Sequence, residues 1–310
     1  MVYEIDNLIA AADINVFLAQ LDLVYGVGFG DSGYGQTTFS LGTPIAQGAI
    51  VQSAEWTALV NAAEVCENHQ GSTINMPPVS EVAIGQFVEA HEADPPTSDP
   101  FDISSSLNIL GNNRLMVDPG STTLFSNFLS DSRGTSWSVA LDHIFTMVFP
   151  TGDDARHFFN SGGEIRMRGS RSGGSGTSQN ADWTSLLSSL AAGVVFSANT
   201  TTAATGTPAA IGYFQLTTSF QQIFTVNSSY VNYAANDITI FARTQDGPGG
   251  NGDTGRFLEF RIEYNDDHVN AFADSVDGTI TTDIDILQAT AFLTIAAPTP
   301  TTTTSLTAGS

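Results

Sequence analysis

One stretch of nineteen residues, Val148 to Arg166, constrains this fold more than any other. Val148-Phe149-Pro150 reads as the end of a strand. Asp153 and Asp154 then open a short helix, where the macrodipole favours negative charge. Phe158 and Phe159 fall three and four residues after Ala155, on one face of a helical turn. Gly162-Gly163 stop the turn where a left-handed residue is needed. From Glu164 the period drops to two, with Ile165 and Met167 pointing one way and Arg166 and Arg168 the other. Strand, helix and strand follow with almost no loop, so the helix has to lie against the sheet its neighbours build. Nothing in the block is chemically reactive, and it reads as packing architecture.

Around this block the chain turns to strands. Ser136–Phe149 alternates around Trp137, Val139, Leu141, Ile144 and Phe145, with a slip near His143 that suggests a bulge. A helix capped around Asn180 follows the glycine-rich 169–176 run and carries Trp183, Leu186, Leu187 and Leu190 on one face. Further strands are expected at Ile211–Leu216, Gln222–Val226, Ile238–Arg243, Phe257–Tyr264, Gly278–Leu287 and Thr290–Ile295, with a hairpin-type loop at Asp246–Gly255. The fold class is therefore α+β, mostly β: an antiparallel β-sandwich with two short helices over residues 116–297. Pro298–Ser310 is rich in Pro and Thr, cannot form a core, and reads as an extended arm.

The N-terminal residues 1–115 form a different kind of unit, a strand-helix module with an internal repeat offset by 42 positions. Leu8–Asn15 aligns with Ile50–Thr57, and Phe17-Leu18 with Leu59-Val60. Both copies, near 8–26 and 50–70, have helical spacing: Ile14, Phe17, Leu18, Leu21 and Tyr25 in the first, Trp56, Leu59, Val60 and Ala63 in the second. Ser53 is placed to cap the second helix; Gly26 ends the first and Gly71 lies just past the second. A degenerate third copy over 85–115 starts at Gly85–Glu92, breaks at Pro95-Pro96, and restarts near Asp102 with Leu107 and Leu110 on one face. Units this small bury their apolar faces only by packing on one another.

Charge excludes several functions. The net charge is −23, and all nine cations are arginines, the first at Arg114. Residues 1–113 hold 14 acidic residues and no basic one, a surface that repels phosphates, so no nucleic-acid partner is expected. Such a chain suits basic neighbours or dense packing in salt. The single Cys66 excludes an intrachain disulfide and a cysteine metal site. No apolar run reaches membrane-spanning length and the N-terminus lacks a basic signal-peptide start, so no membrane partner is expected.

Catalytic signatures fail on context. Gly28-Phe29-Gly30-Asp31-Ser32-Gly33 matches the dinucleotide fingerprint, but a helix precedes it and Tyr34-Gly35 follows, the reverse of what pyrophosphate binding needs. The Gly30-Asp31-Ser32-Gly33 echo of a serine-protease loop has no histidine before it. A P-loop requires lysine. His69, His91, His143, His157 and His268 lack metal-ligand spacing. No catalytic residue and no cofactor is assigned, and a nucleophile–base chain through Asp142 or Asp154 is not expected. Structural Ca²⁺ is the one metal considered, held by Asp246, Asn251 and Asp253, or by the run from Asn265-Asp266-Asp267 to Asp274 and Asp277. Turn chemistry explains the same residues equally well.

The Val148–Arg166 block closely resembles one in virion structural proteins of tailed phages, especially the contractile-tailed phages of marine cyanobacteria. The Gly26–Gln36 stretch with its Gly33-Tyr34-Gly35-Gln36 turn, together with His69-Gln70-Gly71, resembles the same family. The resemblance implies a non-enzymatic virion component, associated with tail, neck or baseplate and assembled in the host cytoplasm. Its partners would be copies of itself and other virion proteins. The alternatives are a receptor- or glycan-binding module on a fibre, with exposed Tyr230, Tyr233 or Trp137 facing a host surface glycan, and a head decoration protein. Within that reading Arg156, Arg166, Arg168 and Arg171 are expected to dock an acidic module or to bind an anion or glycan. The tail, with Leu306, is expected to be ordered by a neighbouring chain.

Overall fold

The computed structural model describes residues 11–27, 32–36, 45–46, 53–74, 103–249, 254–268 and 275–308. They fall into two compact units, the first taking 1–123 with 289–295, the second 124–288 with 296–310.

In the first unit three helices, α1 (Ala11–Asp22), α2 (Ser53–Gln70) and α3 (Ile103–Asn112), pack on one another. Ile14, Phe17 and Leu21 of α1 meet Trp56, Leu59, Val60, Ala63 and Cys66 of α2 and Leu107 and Leu110 of α3 in a buried core. The helical parts of the two repeat copies thus carry their apolar faces as spaced, although Leu18 and Tyr25 are only half-buried. Ser53 is the first helical residue rather than a cap outside the helix. Gly71 ends α2 at φ +64°, the left-handed position that favours glycine. The third copy's opening, 85–92, lies outside the described residues, as does the Gly28–Asp31 run.

The glycine-rich turn after α1 is a clamp. Tyr34 is buried, donates its hydroxyl to the Arg114 carbonyl at 2.7 Å and accepts from Gln70 Nε2 at 3.0 Å. The Gln36 side chain brackets the Thr294 backbone, accepting from its N–H at 3.0 Å and donating to its carbonyl at 3.2 Å. Thr290 and Ala291 donate to the Ser121 carbonyl. Residues 290–295, expected as a strand, are therefore irregular: their backbone donors bond single groups of the helical unit and not a ladder.

The second unit is two packed antiparallel sheets. Its elements run β1 (Thr122–Arg133), β2 (Val139–Val148), α4 (Gly152–Asn160), β3 (Glu164–Ser172), α5 (Ser178–Ser188), β4 (Val194–Phe196), β5 (Thr201–Ala203), β6 (Thr207–Pro208), β7 (Gln221–Asn227), β8 (Asp237–Thr244), β9 (Phe257–Asp266), β10 (Thr279–Ala289) and β11 (Thr299–Ala308). One sheet has the order β1-β10-β3-β4-β5, the other β11-β2-β9-β8-β7-β6. Among the described residues no helix is long and apolar enough to cross a membrane.

The opening block behaves as its period dictates. Thr151 caps α4 by accepting from Asp154 N at 3.0 Å, while its hydroxyl donates to the Asp154 carboxylate at 2.6 Å. Gly162 stops the helix at φ +78°. Phe158 and Phe159 lie edge to face at 5.1 Å. Phe159 also stacks on Tyr213 at 4.6 Å and meets Phe196 of β4, which in turn meets Phe260 of β9, so one aromatic chain spans both sheets.

Four further expectations are corrected, three about strands and one about a helix cap. β2 runs in unbroken register through His143 against both β9 and β11, because His143 itself takes an interior position and Ile144 turns outward; the bulge lies in β7, between Gln222 and Phe224. Ile211–Leu216 is not a strand. The Gln215 side chain accepts from Gly212 N at 2.8 Å and winds Tyr213–Gln215 into a 3₁₀ turn. Thr177, not Asn180, caps α5, accepting from Asn180 N at 3.2 Å. The Thr-rich tail, expected to need a neighbouring chain, pairs as β11 with β2 of its own sheet, Leu306 opposite Leu141.

Candidate functional site at one end of the sandwich

A buried polar cluster of the second unit joins α5, the β7–β8 loop and the end of β9. Gln179, Asp182 and Trp183 recur at i, i+3 and i+4, so α5 turns them to one face, and all three are buried. The β7–β8 loop closes on itself through Ser228 N to the Asn236 carbonyl (2.8 Å) and Asn236 N to the Tyr233 carbonyl (2.8 Å). That closure aims the Ser228 hydroxyl and the Asn236 amide at Asp182. The Asp182 carboxylate accepts from both, the amide at 3.2 Å. At the end of β9, Asp266 Oδ2 accepts from Gln179 Nε2 at 2.5 Å. His268 follows, its ring 4.4 Å from that of Tyr233.

Burial pushes both carboxyls above the ordinary carboxylate range. Ser228, Asn236 and His268 pull Asp182 back; Gln179, Trp183, His268 and Asn236 do the same for Asp266. The buried polar atoms here without a close partner are Gln179 Oε1, Asn236 Oδ1, Asp266 Oδ1 and Trp183 Nε1, and the indole N–H of Trp183 is one of the groups that hold the Asp266 carboxyl down. Asp182 is 1% exposed, too enclosed to meet a substrate, and its hydrogen bonds tie α5 to the β7–β8 loop.

A second polar cluster sits between the sheets. His143 Nδ1 of β2 and the Tyr264 hydroxyl of β9 both meet Thr282 Oγ1 of β10, the imidazole at 2.7 Å. Burial lowers His143 to about 4, with the Asp131 charge opposing, so its ring is neutral at neutral pH. The Asp131 carboxylate accepts from the Thr302 hydroxyl of β11 at 3.0 Å.

The four arginines expected to form a docking patch are braces within the unit. Arg156 is fully buried, held by Asp153 and by the Thr254 carbonyl at 3.4 Å. Arg171 is 5% exposed and bonds the Asp277 backbone and side chain, the Asn180 carbonyl and Thr184. Arg168 grips Asp285 with two prongs, 2.7 and 2.9 Å, and Asn127 at 2.7 Å, while Arg166 pairs with Glu164 at 2.7 Å. With so few cations in the sequence, the half-buried carboxylates of the sheets take them. The shared docking surface is replaced by two enclosed guanidinium groups and two partly exposed, paired ones.

The other candidates are also accounted for by local structure. Asp246 accepts from the backbone of Gly255, Arg256 and Phe257, and Asp277 from Ser175 and Asn180, as turn residues do. Asn251, Asp253, Asp274 and His91 lie outside the described residues. His69 is buried in the helical unit, edge to face with Tyr34 at 5.0 Å. Asp154 serves the α4 cap; Asp142, on the outer face of β2, raises Glu263 beside it, for which burial is the larger cause. Trp137 packs on Trp183, and Tyr233 is buried, which leaves Tyr230 and the fully projecting Val231 exposed at the tip of the β7–β8 loop. Asp182, Gln179 and Asn236 were missed from sequence; the signal available was a polar i, i+3 pair on the apolar face of α5.

In comparisons with known proteins, no family model, no curated protein and no solved structure matches this chain.

Proposed function

We propose that this chain is a non-enzymatic structural component of a tailed-phage virion, at the tail, neck or baseplate, working as one copy within a symmetric protein assembly. The resemblance of the Val148–Arg166 and Gly26–Gln36 blocks supplies the class. The observation that carries the assembly role is β11. It ends the six-stranded sheet, it is ten residues long, and only Pro300 interrupts its hydrogen-bonding capacity. Isolated proteins blunt such edges with charges, bulges or short strands, and a long uncharged edge is a template for a further strand. A neighbouring subunit in a ring or sheath is the natural source of that strand.

The receptor- or glycan-binding alternative loses two of its three aromatics to burial and keeps Tyr230. The deciding experiment is peptide mass spectrometry on virions purified by density gradient from a lysate in which the gene is expressed. The chain should co-purify with the particles at many copies each. Recovery only in the particle-free fraction would sink the reading.

A further inference from the structure

We infer that the open side of the sandwich, where β11 and β1 lie, docks a second copy of this chain, β11 pairing antiparallel with the second copy's β11 across a two-fold axis. That partner deepens the assembly role proposed for β11, on which it rests. The two sides of the sandwich differ. On one side the sheets end in β5 and β6, which have three and two residues, and β6 contains Pro208. Thr201 of β5 donates to the Ala209 carbonyl beside β6 at 3.2 Å, so the backbone stitches the sheets together there. The opposite side ends in β11 and β1, ten and twelve residues long. They share that side, because the Thr302 hydroxyl of β11 donates to the Asp131 carboxylate of β1 at 3.0 Å. Among the described residues no strand pairs with either on its outer side. β1 adds two exposed apolar side chains, Leu124 at 42% and Phe125 at 41%.

Charge selects the occupant. A chain of net charge −23 repels its own copies over most of its surface. Thr299–Ala308 contains no charged residue, so two copies can meet along it without opposing like charges. Neither β5 nor β6 has the backbone to receive a ten-residue strand, so the sheet does not extend head to tail through them. β1 is a poor mate: Asn127 at φ +51° breaks its extended backbone, and Asp131 and Arg133 charge its end. The second copy's β11 is the remaining edge of matching length, and an edge pairs with itself antiparallel about a two-fold. Full overlap puts that axis near the middle of the strand, at Thr303, which is exposed and in register with Ile144 of β2. The six-stranded sheet then runs on into its copy without a break.

The test is sedimentation equilibrium of the full chain at concentrations up to about 100 μM. The wild type should show a monomer–dimer equilibrium. Thr303→Glu sets a carboxylate against its twin across the axis and should weaken the dimer at least about tenfold. Mixed in equal amounts with Thr303→Lys, it should recover the pair, seen as the mixed species by native mass spectrometry. Urea unfolding checks that both variants are folded. A wild type that stays monomeric at the highest concentration overturns the pairing and leaves the edge to a strand from a different protein. A dimer that Thr303→Glu leaves unchanged overturns it too, as does a mixture without the mixed species. Recovery with particles is a separate readout. A monomer that co-purifies with virions defeats this pairing alone, and a dimer found only outside them defeats the virion reading alone.

Discussion

Lowering the pH from 7.5 to 5 should destabilise the sandwich through His143 before most of its carboxylates titrate. The imidazole lies between the sheets, fully buried, with Thr282, Tyr264 and the Asp131 charge as its polar surroundings. Its pKa is lowered from 6.5 to about 4 because burial penalises the cation. The unfolded chain therefore takes up the proton first. The stability that His143 contributes is complete above about pH 6.5 and drains away as the pH falls from there through the folded value. Each unit of difference is worth about 1.4 kcal/mol, so the full loss approaches about 3 kcal/mol and the loss by pH 5 is about 2 kcal/mol. Urea unfolding of wild type and of His143→Gln, at both pH values, isolates the contribution. The variant keeps a hydrogen-bonding group toward Thr282 but has nothing to titrate. Wild type should lose about 2 kcal/mol more than the variant between the two pH values. Parallel losses in the two chains would refute the argument, since every other titrating group is common to both.

Two further outcomes follow from the packing. Phe159→Ala removes the ring that stacks on Tyr213 and meets Phe149, Phe158 and Phe196, and should cost about 3–5 kcal/mol in urea unfolding. Burial pushes the Cys66 thiol up to about 12, so iodoacetamide at pH 8 should leave it unmodified in the native chain and alkylate it once unfolded, read by intact mass.

Elements whose period was set by their own residues were legible in the sequence. Ile165 and Met167 face the core as alternation required, Trp183, Leu186, Leu187 and Leu190 are all buried, and Leu107 and Leu110 lie on the buried face of α3. Misreadings arose where a polar group overrode the period. A neutral histidine in the core of β2 mimicked a slip in register. A glutamine folding onto Gly212 turned an apparent strand into a 3₁₀ turn. β1 carries no legible period because both its faces are largely exposed, with the neighbours Leu124 and Phe125 each outward. The candidate site was less legible still. Asp182 and Gln179 are separated by 54 and 57 residues from the Asn236 that completes their cluster, and only the fold brings them together.

The path of the chain after β10 has a consequence for biosynthesis. Residues 289–295 complete the helical unit, with Leu293 and Ile295 buried there and Thr294 bracketed by Gln36, before the backbone returns to the sandwich as β11. The N-terminal helices thus emerge from the ribosome without the segment that finishes their core. At ~5–20 residues per second, the roughly 170 residues between Thr123 and Ala289 impose a wait of order ten seconds or more. During that interval the helical unit is an incomplete structure, and it becomes whole only after β1 to β10 have been made. Neither unit can therefore mature strictly ahead of the other, and a nascent chain arrested before Ile295 should present a protease-sensitive N-terminal half.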